Sequence, residues 1–459
     1  MENPCHMCMP MGGILALKGI AGAMVIVHGS QGCSTYMRRH IAEHFNEPVD
    51  VGSSSLNEKG TVYGGEANLR QALDNIIRVY QPGVIGVVTT CLAETIGEDI
   101  VRMSSDYRQE RKLAIPIVAA NTPGYGGNHS AGYWLTVRRL VETLAIAAER
   151  HNKINVFVPN ISPADIRELK RLLAVMGIKY TLCPDISETL DRPYLPSYSK
   201  LPEGGTPLAD ICRMAGAPAT IEMGVTVDGS MSPGKYLQDT FGVPLYSVPL
   251  PIGIENTDIF IATLETISGS KRPPDLETER GRLIDAMVDS HKYNFAARSA
   301  IFGDPELVYA VTQTCLENGI HPVVVTGDNG GRVANLLPQN EMTAETVVLS
   351  DPDFSLVRAQ AKAGAANIAI GHSDGRFLTE RDHIPLVRLG FPIHDRVGGQ
   401  RLLSVGYTGT ALFLDRITNT LLENKYQNYR KNMFEKYYKV PQVQLEERGW
   451  PLYAERAYR

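Results

Sequence analysis

The chain has 459 residues, a formal net charge of -5 at pH 7 and 21% charged residues. At roughly 150 residues per domain, this length predicts about three domains. The charge balance argues against a nucleic-acid partner, and the sequence has neither a basic amphipathic stretch nor an apolar run of about 20 residues, which argues against a membrane. The first residues lack the basic region and apolar core of a signal peptide. We therefore expect a cytoplasmic globular protein.

The cysteine count supports the same compartment. Seven cysteines is a low and odd number for a chain of this length, which argues against a disulfide framework and for a reducing cytoplasm. In that environment, cysteines serve as core residues, nucleophiles or metal ligands. Four cysteines fall within the first 91 residues, and we predict that the other three, Cys183, Cys212 and Cys315, are core or loop residues.

The first predicted elements place two cysteines near helix starts. Cys8 opens a glycine-containing turn before an apolar helical stretch at residues 14–20. Cys33 follows a β-branched strand that ends at His28 and a tight turn at residues 29–32. Glycine in such a turn lets the backbone approach a bulky group closely, and a helix start favours a thiolate. The alternative is an ordinary buried cysteine in a strand-to-helix turn.

A third cysteine has the same setting. Cys91 follows a buried-type strand at residues 84–90 and precedes a second helix start. Parallel strands bring their carboxyl ends to one edge of a sheet, so Cys33 and Cys91 are predicted to lie together, with Cys8 delivered by the N-terminal loop. Cys5 and Cys8 form one C-x-x-C pair but no second pair exists, which makes a zinc ribbon the weaker alternative.

The alternation of short strands and helical patterns continues along the chain, and it predicts a long helix at residues 132–150. It supports an α/β protein with three Rossmann-like domains and mainly parallel sheets. We place a cysteine-bearing domain at 1–150, a second domain with a charged bridging helix at 151–297, and a third at 298–459. The aromatic tail, from residue 426 onward, is expected to pack on a partner subunit or on the chain's own surface.

Nine short motifs keep their order over nearly the whole chain. They are Cys8-Met9-Pro10, His28-Gly29-Ser30-Gln31-Gly32-Cys33, Val62-Tyr63-Gly64-Gly65, Thr89-Thr90-Cys91-Leu92-Ala93-Glu94, Asn121-Thr122-Pro123-Gly124-Tyr125, Glu279-Arg280-Gly281-Arg282-Leu283, Gly303-Asp304-Pro305, Arg388-Leu389-Gly390-Phe391-Pro392-Ile393 and Gly406-Tyr407-Thr408-Gly409. Together they resemble the component-1 family of nitrogenases and, within it, the β-type subunit, which supports the three-domain fold.

The resemblance implies a role for the three cysteines. In β-type subunits, three cysteines hold half of an [8Fe-7S] P-cluster at the α/β interface, and they match Cys8, Cys33 and Cys91. Thiolates are soft, anionic ligands that suit iron-sulfur clusters. Because three ligands do not complete so large a cluster, an α-type partner subunit is expected to supply the others.

Neighbouring residues carry over by position. Ser30 and Gly32 match the turn that packs on the cluster, and Tyr36 matches a family tyrosine beside it, with simple packing as its alternative role. His28 is expected to be a hydrogen-bonded structural residue and not a ligand. Glu47 matches an acidic residue that binds a metal ion between β subunits in some members, but its partners have no assigned position in this chain.

Two departures from the molybdenum enzyme bear on the substrate. A serine that contacts the oxidised cluster there has no counterpart here, because Gly124 or Asn128 falls at that position and Ser130 is only nearby. Cys8 also lies almost at the start of the sequence, so we expect no long N-terminal extension before it. These departures favour a methylthio-alkane reductase, which cleaves C–S bonds, and leave a dinitrogen-reducing nitrogenase as the alternative.

The expected function is electron relay within an α2β2 heterotetramer. By resemblance, an ATP-dependent iron-sulfur reductase dimer docks transiently and reduces the shared cluster. Electrons then pass to an iron-sulfur-based catalytic cofactor in the α-type subunit, so no catalytic residue is expected in this chain. An alternative of another class is a cofactor-assembly scaffold, whose β-like chain keeps only the cysteine that matches Cys33. The presence of Cys8 and Cys91 argues against it.

Overall fold

The computed structural model describes residues 6–327, 331–338, 342 and 345–438. These residues form three sheets in which all paired strands are parallel, each built from one continuous part of the chain and flanked by helices. The predicted fold class is therefore confirmed. The exact domain boundaries stay a prediction.

The first sheet has the strand order β2-β1-β3-β4. Its strands are β1 (Ala23–His28), β2 (Gly52–Ser53), β3 (Val84–Thr89) and β4 (Ile117–Ala120), and its helices are α1 (Met9–Lys18), α2 (Gln31–Phe45), α3 (Glu58–Tyr63), α4 (Glu66–Tyr80), α5 (Cys91–Thr95), α6 (Ile100–Glu110) and α7 (His129–Leu144). All residues of β1 and β3 are buried, as expected for central strands covered by helices on both faces. In their pairing His28 lies opposite Thr89, so both strands end at the same edge.

The second sheet has the order β6-β5-β7-β8. Its strands are β5 (Lys153–Phe157), β6 (Lys179–Cys183), β7 (Thr220–Glu222) and β8 (Leu245–Ser247), accompanied by α8 (Pro163–Val175), α9 (Leu208–Cys212), α10 (Pro233–Phe241), α11 (Ile254–Ser268) and α12 (Pro274–Asn294). Helix α8 begins where the Ser162 hydroxyl accepts a hydrogen bond from the Asp165 N–H and proline occupies the first helical position.

The third sheet has the order β11-β10-β9-β12-β13. Its strands are β9 (Arg298–Ile301), β10 (His321–Gly327), β11 (Val347–Ser350), β12 (Ile368–Gly371) and β13 (Leu386–Arg388), with α13 (Pro305–Glu317), α14 (Arg332–Leu336), α15 (Phe354–Ala363), α16 (Arg376–Asp382) and α17 (Gly406–Tyr437). Helix α17 packs along α12 and also contacts α8, so it joins the third part of the chain to the second.

Three expectations about individual segments have clear outcomes. The helix predicted at residues 132–150 ends earlier, at Leu144, because the Ile146 N–H donates to the Cys212 carbonyl and so turns the chain toward the second sheet. Cys183 and Cys315 are buried and Cys212 is half-buried, as predicted. Of the tail, the tyrosines at the end of α17 are exposed, and residues 439–459 lie outside the described part. No helix in the described residues is long and apolar enough to span a membrane.

Helix α1 lies unusually close to α7. A Cβ atom at Gly132 would lie 1.9 Å from the Met9 carbonyl oxygen, and one at Gly12 would lie 1.7 Å from the His129 carbonyl oxygen. The two helices therefore contact each other backbone to backbone, which only glycine permits. This contact fixes the start of α1, where Cys8 lies.

Gly132→Ala is expected to lower the free energy of unfolding by about 3 kcal/mol, since the added methyl group forces two backbones apart in a packed core. Chemical denaturation of the purified protein measures the change. Gly281→Ala is the matched control, because Gly281 lies in α12 with no atom within 4 Å of an added Cβ. That variant is expected to be more stable by about 1 kcal/mol from helix propensity alone. Equal stability of the two variants would contradict the close contact.

Candidate metal-cluster site

The three candidate cysteines all lie where a helix begins. Cys8 is the residue that caps α1, Cys33 is the third residue of α2, and Cys91 is the first residue of α5. Cys33 and Cys91 follow β1 and β3 at the shared carboxyl edge of the first sheet. Backbone N–H groups at helix starts have no partners within the helix and favour negative charge. The surroundings therefore suit thiolates.

Gly124 is the point at which two of these thiols meet. A Cβ atom at Gly124 would lie 2.4 Å from the Cys8 sulfur and 3.0 Å from the Cys91 sulfur. The Gly124 N–H also donates a hydrogen bond to the Cys91 sulfur at 3.2 Å. The convergence of Cys8 and Cys91 that the sequence predicted is thus present, around a residue without a side chain.

The other positions considered for the missing serine point elsewhere. The Asn128 side chain accepts a hydrogen bond from the Ala131 N–H at 3.0 Å and so caps α7. Ser130 lines a separate cavity of about 140 Å³ that Trp134 and Arg332 also border. Of these three residues, Gly124 is therefore the one that contacts the candidate thiols in the described part of the chain. It provides a backbone N–H where a serine would provide a hydroxyl.

The turn before α2 leaves space on one side. The Ser30 hydroxyl donates to the Cys33 sulfur at 3.7 Å. A Cβ at Gly32 would meet only the Ser30 hydroxyl, at 3.8 Å, whereas one at Gly29 would lie 2.1 Å from the Thr90 hydroxyl. The space in front of Gly32 can therefore hold a bulky group, and the space at Gly29 is filled by the protein. At Gly29 the absent side chain makes room for Thr90, and a place of this glycine beside a bulky group stays a prediction.

Tyr36 lies one turn after Cys33 and is 63% exposed. Its ring thus faces outward from this edge in the single chain. The proposed places of Ser30, Gly32 and Tyr36 beside a cluster stay predictions.

The thiols influence one another. Burial, together with the nearby Cys91 and Cys33 thiols, raises the pKa of Cys8 to about 11. Neighbouring thiolates repel, so bringing three of them together favours the protonated form until a positive group is shared between them. A metal centre provides that group, because its binding displaces the thiol protons.

The thiols do not form a site for a single ion. In the described part of the chain, no three His, Cys, Asp or Glu side chains are arranged to hold one metal ion. This disfavours a zinc site, since the four ligands of zinc lie close around one atom. Cys5, the other cysteine of the C-x-x-C pair, lies outside the described residues. Glu47, the other residue considered for a metal, instead forms an ion pair with Arg192, with 3.2 Å between Oε2 and Nε.

His28 has the structural role that the sequence predicted. It is fully buried, with Nδ1 2.9 Å from the Ser54 hydroxyl and Nε2 3.2 Å from a Glu98 carboxylate oxygen. Burial lowers the pKa of His28, while Glu98 opposes that shift. The other Glu98 oxygen accepts the Gly65 N–H at 2.8 Å. His28 therefore ties the end of β1 to the start of α4.

Comparison with known proteins decides the family. Residues 8–422 match the family described as Nitrogenase component 1 type Oxidoreductase. The chain belongs to this family. Its match spans all three sheets and includes every one of the three candidate cysteines.

The relatives of this nitrogenase-family chain are named as β chains. It is 37% identical over 442 residues to the nitrogenase molybdenum-iron protein beta chain of Methanococcus maripaludis, covering 93% of this chain and 95% of the relative. It is 36% identical to the corresponding chain of Clostridium pasteurianum, covering 92% and 93%. It is 32% identical to the nitrogenase vanadium-iron protein beta chain of Trichormus variabilis, covering 91% and 93%.

A solved structure entitled "Nitrogenase Cp1 at pH 6.5" has a TM-score of 0.88 and 32% identity, covering 96% of this chain and 97% of the other. These agreements make the chain a β-type subunit of a nitrogenase-like oxidoreductase.

Two features of this nitrogenase-family site were missed by sequence reasoning. One is the contact of Gly124 with two sulfurs, and the other is a buried pair formed by His129 and Asp304. Gly124 and Asp304 both fall within motifs that carry the family resemblance. Membership in a family motif was therefore the signal for these two residues, but the motifs do not show which residues they contact.

Proposed function

We propose that this chain is the electron-relaying β-type subunit of an ATP-dependent, nitrogenase-like reductase. Cys8, Cys33 and Cys91 would hold half of an [8Fe-7S] cluster, and an α-type subunit would supply the other ligands in an α2β2 heterotetramer. The observation that carries the proposal is the meeting of the Cys8 and Cys91 sulfurs at Gly124. Cys8, from the N-terminal segment, thus lies at the edge of the first sheet where Cys91 follows β3.

The donor set fits an iron-sulfur cluster. Thiolates are the usual protein ligands of such clusters, and hydrogen bonds to the sulfurs help to set the reduction potential. Ser30 supplies one such donor to Cys33, and the Gly124 N–H supplies one to Cys91. When bound, the cluster would supply reversible one-electron storage between the reductase and the catalytic cofactor of the partner. The role of this chain is to hold the three ligands and to donate these hydrogen bonds.

The surface around the thiols fits a partner subunit. Tyr36, Val62, Tyr63 and Tyr125 are 63% to 82% exposed. Tyr125 directly follows Gly124, and Val62 and Tyr63 end α3 just before the Gly64-Gly65 turn that leads into α4. Exposed aromatic residues such as these three tyrosines are enriched at subunit interfaces. We therefore propose that the α-type subunit and the transient reductase dimer contact this edge, in the cytoplasm.

Analysis of the complex purified with its partner tests the cluster. We expect bound iron and sulfide, and an electron paramagnetic resonance spectrum of a cluster larger than four irons. Finding only a four-iron cluster at the interface would overturn the proposal. A cofactor-assembly scaffold would instead release its cluster to an acceptor protein and would show no reductase-dependent turnover.

Two substrates are to be compared. Reduction of a methylthio-alkane is favoured by the absence of a side chain at Gly124, where the molybdenum enzyme was expected to place a serine. Reduction of dinitrogen is favoured by the names of the relatives. Turnover of the complete system with each substrate separates them: methane release from a small thioether supports the first, and ammonia from dinitrogen supports the second.

A further inference from the structure

We infer that His129 and Asp304 form a positioning pair that fixes the N-terminal segment carrying Cys8, and through it the place of one cluster ligand. This inference rests on the proposed function, because it assigns the pair a purpose in holding a cluster. The pair lies outside the three cysteines and their neighbouring turns. It connects the third part of the chain to the first.

His129 binds Met7 through two hydrogen bonds. The His129 backbone N–H donates to the Met7 carbonyl at 2.9 Å, and the Met7 N–H donates to His129 Nδ1 at 3.1 Å. The next residues, Cys8 and Asn128, face each other as an isolated antiparallel bridge. The segment before α1 is therefore held like a short strand against the start of α7.

The bond from Met7 determines the protonation of the ring. Because Nδ1 accepts a hydrogen bond, the proton of the neutral imidazole must be on Nε2. Nε2 lies 2.7 Å from Oδ1 of Asp304. The negative charge of the carboxylate favours a proton on the nearest ring nitrogen, and so favours the tautomer that leaves Nδ1 free to accept from Met7.

In the described part of the chain, the Asp304 carboxylate makes no short contact with a basic side chain other than that with His129. Its side chain is 5% exposed, yet neither carboxylate oxygen accepts a hydrogen bond from any described group, so the short contact with His129 is electrostatic. Asp304 precedes α13 but its side chain makes no capping bond to that helix. A buried carboxylate without a partner costs several kcal/mol. The contact with His129 is what compensates this cost.

A second contact between a histidine and an aspartate holds the same segment. His6 Nε2 lies 2.7 Å from Oδ1 of Asp351, directly after β11. His6 and Met7 are therefore both tied, directly or through His129, to the carboxyl ends of strands in the third sheet. Helix α1, which follows Cys8, packs on α7. The chain around Cys8 is therefore held on its N-terminal side by the third part of the chain and on its C-terminal side by α7. Such support around a ligand is what holds a metal centre in one geometry.

Hydrogen exchange of the purified complex tests the positioning. His129→Ala removes the acceptor for the Met7 N–H, and loss of this partly buried hydrogen bond is expected to speed exchange of that amide about tenfold. His129→Asn is the conservative variant, because its amide oxygen can take the place of Nδ1, and it is expected to restore most of the protection. Asp304→Asn is expected to give an intermediate rate. His321→Asn, at the start of β10, is the control and should not change the exchange of Met7.

The midpoint potential of the cluster provides the second measurement. In the iron-loaded complex, His129→Ala is expected to shift the potential and His129→Asn to bring it back toward the wild-type value. Unchanged protection of Met7 in His129→Ala would overturn the inference, as would an unchanged potential in a complex that keeps its iron. Failure of the proposed function looks different: the wild-type complex would then contain no cluster, whatever the exchange of Met7.

Discussion

Replacing Cys91 with alanine is expected to abolish reductase-dependent turnover and to lower the iron content of the purified complex. Cys91 is the first residue of α5, its sulfur lies beside Gly124, and its environment contains the Cys8 thiol. Loss of a residue that merely supports a metal ligand typically costs 10- to 100-fold in affinity or activity, so loss of the ligand itself is expected to cost more than about 100-fold. Turnover and iron analysis on the same preparation measure both effects.

Cys212→Ala is the matched control for this variant. Cys212 is a half-buried cysteine at the end of α9, packed against the core of the second part of the chain and far in sequence from the three candidate ligands. This variant should keep its iron and its turnover. Unchanged turnover in Cys91→Ala would refute the ligand role of Cys91, and equal losses in both variants would show that general destabilisation is the cause.

The sequence predicted the edge of the first sheet because that edge depends on local pattern. Buried β-branched strands, a glycine turn and a following helix are all encoded within short stretches around Cys33 and Cys91. Parallel pairing then brings the two strand ends together, as the register of His28 opposite Thr89 confirms. Together with the family resemblance, the same reasoning gave the three parallel sheets, since each repeats the alternation of strand and helix.

What the sequence did not predict depends on contacts between distant parts of the chain. The helix expected to continue to residue 150 contains good helix formers, but a hydrogen bond between Ile146 and Cys212 ends it at Leu144. Tertiary contacts thus override helix propensity at this junction. The pairing of His129 with Asp304 has the same origin, because the sequence around each residue contains no information about the position of the other.

Gly124→Ala is expected to displace the sulfurs of two proposed cluster ligands, Cys8 and Cys91, and so to weaken iron binding. The added methyl carbon would lie 2.4 Å from the Cys8 sulfur and 3.0 Å from the Cys91 sulfur. Since both distances are shorter than van der Waals contact, at least one sulfur must move, and the bond from the Gly124 N–H to Cys91 is weakened with it. We expect about a 10-fold or greater loss of bound iron, in the range typical of residues that support metal ligands.

Gly127→Ala is the appropriate comparison because it changes the same loop without approaching a thiol. A Cβ at Gly127 would lie 3.1 Å from the Ala131 side chain and 3.9 Å from the Met9 sulfur, contacts that small adjustments can relieve. Iron content, thermal stability and the electron paramagnetic resonance spectrum of both variants separate a local effect from a global one. If Gly124→Ala keeps its iron with an unaltered spectrum, the two sulfurs do not bind the cluster from their observed positions. If Gly124→Ala alone loses iron while both variants melt alike, then the missing side chain at Gly124 is a requirement of the cluster site itself.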